Sequence, residues 1–231
     1  MKKLLSFLSL VTVSATMMFA NVEINPRIYG DFISFNREYS FSIGSTNLAS
    51  ISYDANIIQC GAELETNFWF AHPWIMDIGL STSLDIGFGP ATYKTTVKLL
   101  RTSISSDLSD FVFSSSFCIA PAFQFNAGRK HSIFFAPGLQ LNALSYKKIQ
   151  YTTYGADKDK HGVFDLLSTF AIDFGYKYWF GNKAGLNLGY QLELPLKSLS
   201  TYEFDSGIGN RFYAGLCFNL GKRYFNSKRE E

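Results

Sequence analysis

Residues 57–89, IIQCGAELETNFWFAHPWIMDIGLSTSLDIGFG, decide the fold. Apolar side chains occupy mostly even positions in this stretch, and polar or small side chains occupy the odd ones. The alternation is interrupted only at Ala71-His72-Pro73. Because successive side chains of a strand leave opposite faces, a period of two predicts two long strands joined by a short turn, a β-hairpin.

Composition indicates what kind of sheet this is. The chain has 231 residues, of which 47% are hydrophobic and only 17% are charged, whereas about a quarter of the residues in soluble proteins are charged. After residue 20, no apolar run approaches the roughly 18 residues that a membrane helix needs. A charge-depleted chain without such a run, rich in Phe and Tyr, favours a β-sheet membrane protein.

Residues 1–20 are typical of a signal peptide. Lys2 and Lys3 precede a short apolar core at 4–13, and cleavage is expected after Ala20, with Ala15 as the alternative site. The chain is therefore predicted to be exported. Removal of the two lysines leaves 19 basic side chains against 19 acidic ones, so charge gives no reason to propose a nucleic-acid partner.

The hairpin pattern repeats along the chain to give eight predicted strands. Short turns are expected near 71–73, 127–131 and 181–183, and long polar loops at 37–54, 99–110, 146–162 and 198–207. Turns and loops alternate strictly, which a barrel with short turns at one end and long loops at the other explains. A soluble sandwich has no reason to place every long loop at one end. The even strand number predicts that both termini lie at the short-turn end.

Aromatic residues and cysteines fit the same interpretation. Aromatic side chains flank the short turns on the apolar face, as in an interfacial girdle; they are Phe68, Phe70, Trp74, Phe123, Phe125, Phe135, Tyr178 and Phe180. The alternation places Cys60 on the outer face and Cys118 and Cys217 on the inner face. We therefore expect no disulfide.

From residue 22 to 221 the pattern resembles the small eight-stranded outer-membrane β-barrel proteins of Gram-negative-type bacteria. The last strand resembles their C-terminal assembly signal, with Tyr213, Gly215, Phe218 and Leu220 at its polar, glycine, aromatic and terminal hydrophobic positions. It departs from that signal because an aromatic residue usually stands where Leu220 is, and because residues 222–231 follow it.

The resemblance implies three segments and a location. Residues 1–20 are the signal peptide, 21–221 a membrane-spanning up-and-down antiparallel β-barrel of eight strands, and 222–231 a short charged tail. The protein is expected in the outer membrane with both termini in the periplasm. Its implied partners are outer-membrane lipid, the barrel-insertion machinery and an extracellular partner of the loops.

Catalytic motifs are absent from the sequence. It contains none of the glycine patterns of nucleotide sites, nor H-E-x-x-H, C-x-x-C or G-x-S-x-G. His131 and Ser132 are neighbours, but adjacent strand residues point to opposite faces. His161, near Asp159 and Asp165, is the one external candidate for catalysis. We predict that the protein is not an enzyme and has no cofactor or metal.

The inner face of the predicted barrel carries charges that a narrow lumen must pair. Counting inward from the short turns predicts three ion pairs: Arg27 with Glu65, Glu193 with Arg211, and Asp165 with Lys197. Four acids then remain, with Lys177 as the only other base: Glu63, Asp77, Asp85 and Asp173. Water and cations in that half of the barrel, or protonation of some acids, would relieve this excess.

These features favour a structural or surface-interaction role through the four long external loops. The alternative is a narrow channel for ions or small apolar molecules, and an enzyme is the third hypothesis. Eight strands leave little free width inside. We therefore expect conductance to be small or absent, and selective for cations if it is seen.

Overall fold

Eight long strands make up nearly all of the computed structural model, which describes residues 21–43, 46–99, 102–152, 155–198 and 206–221. The strands are β1 (Asn21–Ile43), β2 (Thr46–Ala71), β3 (Met76–Leu99), β4 (Thr102–Ala127), β5 (His131–Thr152), β6 (Gly155–Trp179), β7 (Ala184–Ser198) and β8 (Ser206–Asn219). The predicted signal peptide at 1–20 and tail at 222–231 lie outside the described residues. Within the described ranges, no helix is long and apolar enough to cross a membrane.

The strands form one closed barrel in chain order. Every neighbouring pair is antiparallel, and β1 pairs with β8 to close the ring, from Glu23 opposite Asn219 to Asn36 opposite Ser206. The predicted all-β, up-and-down barrel of eight strands is therefore confirmed.

The three short turns lie where the sequence predicts them. Residues 72–75 join β2 to β3, residues 128–130 join β4 to β5, and residues 180–183 join β6 to β7. Two turn residues have positive φ, Trp74 at 56° and Gly128 at 75°. Only glycine adopts such angles without strain, and Gly128 supplies this freedom in the second turn.

Three of the four stretches predicted as long loops are continued strands instead. The pairing of β1 with β2 reaches Ile43 opposite Thr46, that of β3 with β4 reaches Leu99 opposite Thr102, and that of β5 with β6 also continues to its tip, at 152 and 155. Polar residues dominate these stretches, but their backbones pair with a neighbouring strand as they do in the barrel wall. Residues 199–205, within the fourth predicted loop, lie outside the described residues.

The neighbouring strands do not all stay paired to the same height above the barrel. The pairing of β4 with β5 stops at Phe113 opposite Ser145, whereas β1, β2, β3 and β4 stay paired with one another well beyond that level. They continue as a four-stranded sheet, the described parts of residues 37–54 and 93–109, which we call the extension sheet. β5 and β6 continue as a separate hairpin.

Side chains of the closed barrel are arranged inversely to those of a soluble protein. Large apolar residues such as Ile28, Leu84 and Phe212 are 70%, 61% and 64% exposed on the outside. Charged residues, Arg27 and Glu65 among them, are buried inside. Lipid solvates such an exterior and water does not. We call this apolar outer zone the belt.

Candidate functional site

The interior of the barrel consists of three layers, of which the lowest lies beside the short turns. Trp69, Phe134 and Trp179 are fully buried there, and the rings of Trp69 and Phe134 meet edge to face with centroids 6.3 Å apart. Trp179 donates its indole N–H to Ser132 Oγ at 3.1 Å. Small residues complete the packing around the rings: Ala120, Ala122 and Ala136. This layer closes the lower end of the lumen with bulky side chains.

Arg27 is the first of two buried centres in the middle layer. Its Nη1 lies 2.9 Å from Asp173 Oδ2 and 3.4 Å from Glu63 Oε1. Its Nη2 forms an ion pair with Glu65, which also accepts hydrogen bonds from Asn25 and Ser81; Arg27 is thus held by three carboxylates from two strands.

Arg211 is the second centre. Its Nη1 lies 2.8 Å from Asp85 Oδ2 and 3.6 Å from Glu63 Oε2. Its Nη2 lies 3.0 Å from Glu193 Oε1 and 3.4 Å from Asp31 Oδ2. Glu63 contacts both arginines and links the two centres into one network.

Two tyrosines interlock these centres across the seam where β1 meets β8. Tyr29 and Tyr213 face each other in the strand register. The Arg27 guanidinium stacks 4.0 Å from the centroid of the Tyr213 ring, and the Arg211 guanidinium stacks 4.1 Å from that of Tyr29. Each arginine therefore stacks on the tyrosine of the other strand, and such desolvated cation–π contacts are each worth about 2 kcal/mol.

The tyrosine hydroxyls tie this seam to the far walls of the barrel. Tyr213 donates to Asp173 at 2.5 Å, and Tyr29 donates to Asp85 at 3.2 Å. Glycines on the neighbouring strands leave the space that the two rings occupy: Gly61, Gly87, Gly175 and Gly189. We call the two arginines and two tyrosines the seam clasp.

Two further charged contacts lie below the clasp. Lys177 forms an ion pair with Glu23 and donates to Gln124 Oε1 at 3.0 Å. Asp77 contacts His72 Nδ1 at 2.7 Å and accepts a hydrogen bond from Asn126 at 2.7 Å. These groups line the lower part of the lumen.

The four acids that the sequence interpretation left unpaired each have a partner. Glu63 and Asp173 contact Arg27, and Asp85 contacts Arg211. Asp77 contacts His72. The expectation of unpaired acids is corrected because each arginine serves several carboxylates, which counting residues along strands in pairs does not anticipate.

The expected pairs have different outcomes. Arg27 contacts Glu65, and Glu193 contacts Arg211. The side chains of Asp165 and Lys197 lie outside the described part of the chain, and the backbone register puts Lys197 opposite Ser168.

Among the assembly-signal positions, Tyr213 is buried in the clasp and Gly215 lies beside Arg27. Phe218 and Leu220 are exposed on the outside.

Sequence reasoning missed part of this site. It did not count two buried acids as partners in the lumen, Glu23 and Asp31, although both lie on the polar face of β1. It also missed the two tyrosine stacks. The sequence did contain a signal for the stacks. On β1 and on β8 alike, an arginine stands two residues before a tyrosine, so all four side chains point into the lumen: Arg27, Tyr29, Arg211 and Tyr213. Register between first and last strands was the missing information.

Carboxylates remain in excess even so. Eight are buried in the described interior, against three basic side chains, Arg27, Lys177 and Arg211; the acids are Glu23, Asp31, Glu63, Glu65, Asp77, Asp85, Asp173 and Glu193. An acidic lining favours cations over anions in any pathway. Among the described residues, no group of three or more His, Cys, Asp or Glu side chains is placed to hold a metal ion.

The upper layer is an apolar cap. Eight buried residues form one cluster across the mouth of the lumen: Ile33, Phe35, Ala55, Ile57, Ala91, Val112, Leu144 and Leu167. Tyr93 packs against them from the extension sheet. The cavity between this cap and Arg211 is just large enough for one water molecule. Within the described residues, the apolar cap thus covers the charged middle layer from above, and the Trp69 layer, with Lys177 packed over its rings, fills the lumen below it.

The extension sheet above the cap has two unlike faces. The face that continues the inner wall of the barrel is apolar and open, with Tyr39, Phe41, Tyr53, Leu99 and Ile104 all 37% to 65% exposed. The rings of Tyr39 and Tyr53 meet at right angles with centroids 6.2 Å apart. The opposite face carries polar and charged residues, including Glu38, Ser40, Lys94, Lys98 and Asp107.

No protein-family model matches this sequence, and no curated protein matches it. Solved structures with a similar fold include three outer-surface or outer-membrane proteins. The attachment invasion locus protein of Yersinia pestis, solved with the heparin analogue sucrose octasulfate, is 10% identical at a TM-score of 0.44, covering 87% of this chain and 99% of that one. Neisserial surface protein A is 12% identical at a TM-score of 0.45, covering 84% of this chain and 97% of that one.

The outer-membrane protease OmpT of Escherichia coli is 8% identical at a TM-score of 0.42, covering 87% of this chain and 97% of that one. With TM-scores below 0.5, none of these likenesses carries an inference about ligand or activity. The architecture rests on the chain's own geometry, a closed ring of eight antiparallel strands with an apolar exterior and a charged interior. That architecture is the one found in the small eight-stranded outer-membrane β-barrel proteins.

Proposed function

We propose that this protein is an integral outer-membrane protein that interacts with partners at the cell surface, with its barrel serving as the anchor. The short turns and both termini face the periplasm, and the extension sheet faces outward. The signal-peptide pattern at 1–20 supports export to that side. Strand length supports the orientation, because bacterial barrels have their longer connections outside the cell.

One observation carries the proposal: the lumen is closed while the sheet above it is open. The cap packs across the upper end of the interior, and the Trp69 layer fills its lower end with buried side chains. The extension sheet, in contrast, offers Phe41 at 62% and Ile104 at 65% exposure on a face that meets water. Exposed contiguous apolar surface rimmed by polar residues is typical of an interaction site.

The alternative, a narrow channel, is favoured by the carboxylate excess alone. It requires that the cap open, since eight buried apolar side chains pack together across the mouth of the lumen. An enzymatic role has less support. The His131 imidazole lies 2.5 Å from Tyr176 on the outside, whereas Ser132 donates to Asn126 on the inside. The side chains of His161, Asp159 and Asp165 are not among those described.

Conductance, adhesion and protease measurements test the proposed function. Refolded protein in a planar bilayer should show no steady current, and a variant with smaller cap residues, Phe35→Ala with Leu167→Ala, should leak cations. Steady conductance of the unmodified protein would favour the channel instead.

On cells, a chain in which residues 37–54 and 93–109 are each replaced by a short turn should lack the extension sheet and keep heat-modifiable migration on gels. It should lose adhesion to surfaces that the intact protein binds. Protease added outside should cut within residues 151–161 and spare 181–184.

A further inference from the structure

One edge of the extension sheet is free. Pairing of β4 with β5 ends at Phe113 opposite Ser145, but β4 continues to Thr102, paired with β3 on its other side. Within the part of the chain that the structure describes, residues 102–109 therefore have a ladder partner on one side alone. This edge would lie outside the membrane, at the rim of the open apolar face.

Two hydrogen bonds reveal which backbone groups point to this edge. Asn126 donates its N–H to Ile75 O at 2.7 Å, toward the β3 side. Phe111 donates its N–H to the Asp110 carboxylate at 2.8 Å and not to β3. β4 has no bulge in its pairing with β3. Even-numbered residues of β4 thus bond toward β3, and odd-numbered residues direct N–H and C=O to the free edge.

The edge has few of the devices that natural sheets use to prevent pairing. Residues 102–109 read TSISSDLS, with no proline, lysine or arginine. The opposite edge of the same sheet, on β1, is different: it has a register shift between Phe41 and Ser42 and charged residues at 37 and 38. Bulges, prolines and charges are how proteins protect exposed strands. The β4 edge has no bulge in its pairing with β3 and carries a single charge, Asp107.

We propose that residues 102–109 bind an extended polypeptide segment of a partner protein, which adds to the extension sheet as a fifth strand. The partner's backbone would bond the N–H and C=O groups of Ser103, Ser105 and Asp107. Its side chains would alternate: apolar ones beside Ile104 on the open face, and basic ones beside Asp107 on the polar face. The proposal deepens the proposed function and rests on it.

A peptide with this chemistry is available from the chain itself. Residues 92–99, TYKTTVKL, pair with β4 at its other edge in the fold and alternate Tyr, Val and Leu with Lys. A fluorescent copy of this peptide is the probe, titrated against refolded protein in detergent micelles. The control peptide has the same composition, rearranged so that apolar and basic residues no longer alternate. We expect binding of the first and at least about tenfold weaker binding of the second.

Proline at one position separates edge pairing from simple apolar contact. Ser105→Pro removes an N–H that points to the free edge, where proline is tolerated, and should weaken binding about tenfold or more. Ser105→Ala keeps the N–H and should bind like the unmodified protein. Both variants should keep heat-modifiable migration. Amide exchange gives a readout without substitution: bound peptide should slow exchange at 103, 105 and 107 and leave 104 and 106 unchanged.

Equal binding of the two peptides, equal binding by the Pro and Ala variants, or uniform amide protection would each overturn the strand-addition proposal. These outcomes are distinct from failure of the proposed function. If trimming the extension sheet abolishes adhesion while Ser105→Pro does not change peptide binding, surface interaction stands and the β4 edge is not its site. If the intact barrel conducts ions steadily, the proposed function itself fails.

Discussion

The four strands of the extension sheet also form half of the belt, yet they present opposite faces to their surroundings in the two regions. In the belt, β1 turns Ile28 and Phe32 outward and buries Arg27 and Asp31. In the extension sheet the outward residues include Glu38 and Ser40, and the apolar ones lie on the inner face. Strand geometry is unchanged between the two. The solvent outside the strand, hydrocarbon or water, determines which face is apolar.

The switch occurs at the level of the cap. On β1 the inward residues change from Asp31 to Ile33, and on β2 from Gln59 to Ile57. On the outward face of β1, the apolar Phe32 is followed by the polar Ser34 at the height of the cap. The cap therefore marks where the apolar exterior ends, and the charged interior lies at the depth where no water is available outside.

The largest effect should come from the charged interior of the belt. Arg211→Ala removes the partner of Asp85, Asp31 and Glu193, and leaves buried carboxylates without a cation. Removing one partner of a buried ion pair costs roughly 3–5 kcal/mol. Urea unfolding in lipid vesicles should show this loss, or the variant should fail to fold.

The control keeps the arginine and removes one acid. Glu193→Gln leaves Asp85 and Asp31 on Arg211 and relieves part of the carboxylate excess. We expect its unfolding free energy to equal or exceed that of the unmodified protein. Equal losses in Arg211→Ala and Glu193→Gln would mean that the two residues act as an isolated pair and not within a network.

The second prediction tests the belt from outside. Ile28 is 70% exposed at the height of Arg27, and Ile28→Arg should cost about 2–4 kcal/mol if hydrocarbon surrounds it. Phe41, on the same strand, is 62% exposed on the extension sheet. Phe41→Arg should change stability by no more than about 0.5 kcal/mol. Unfolding in lipid vesicles measures both variants. Similar losses of unfolding free energy would contradict the claim that lipid surrounds the belt and water surrounds the extension sheet.

The third prediction concerns the space beneath the seam clasp. A Cβ at Gly189 would overlap the Tyr213 ring, which stacks on Arg27 and has no room to move. Gly189→Ala should cost about 1–3 kcal/mol by overpacking. At Gly30, on the outer face, no atom lies within 4 Å of the position that a Cβ would occupy, so Gly30→Ala should be neutral within about 0.5 kcal/mol. Thermal gel-shift curves compare the stability of the two variants. Equal curves would mean that the Tyr213 ring is not confined.

The period-two pattern was sufficient to predict the belt, because lipid favours large apolar side chains at most outward positions. The same rule does not extend above the cap. There both faces meet water, and stretches such as 37–54 have the composition of loops although Tyr39 and Phe41 still alternate with Ser40 and Ser42. Composition averages over both faces of a strand and so conceals this alternation.

The site was harder to predict than the fold for a different reason. Inward parity places Arg27 and Arg211 in the lumen, but their partners depend on register between strands far apart in the chain. Tyr213 stacks on Arg27 because β8 returns to β1, a closure that no local pattern specifies. Parity therefore predicts which residues face the lumen, while contacts between them require the closed ring.

The smallest expected effect is the sharpest test of the comparison, because it uses two isoleucines of similar exposure. Ile86 in the belt is 56% exposed, and Ile104 on the extension sheet is 65% exposed. Ile86→Ser places a hydroxyl in hydrocarbon and should cost roughly 1–3 kcal/mol. Ile104→Ser exchanges an apolar group for a polar one in water and should change the free energy of unfolding by less than about 0.5 kcal/mol. It should also lower aggregation of the refolded protein, since it removes exposed apolar surface. Urea titrations in vesicles measure both, and a loss at Ile104 as large as that at Ile86 would place the extension sheet within the membrane.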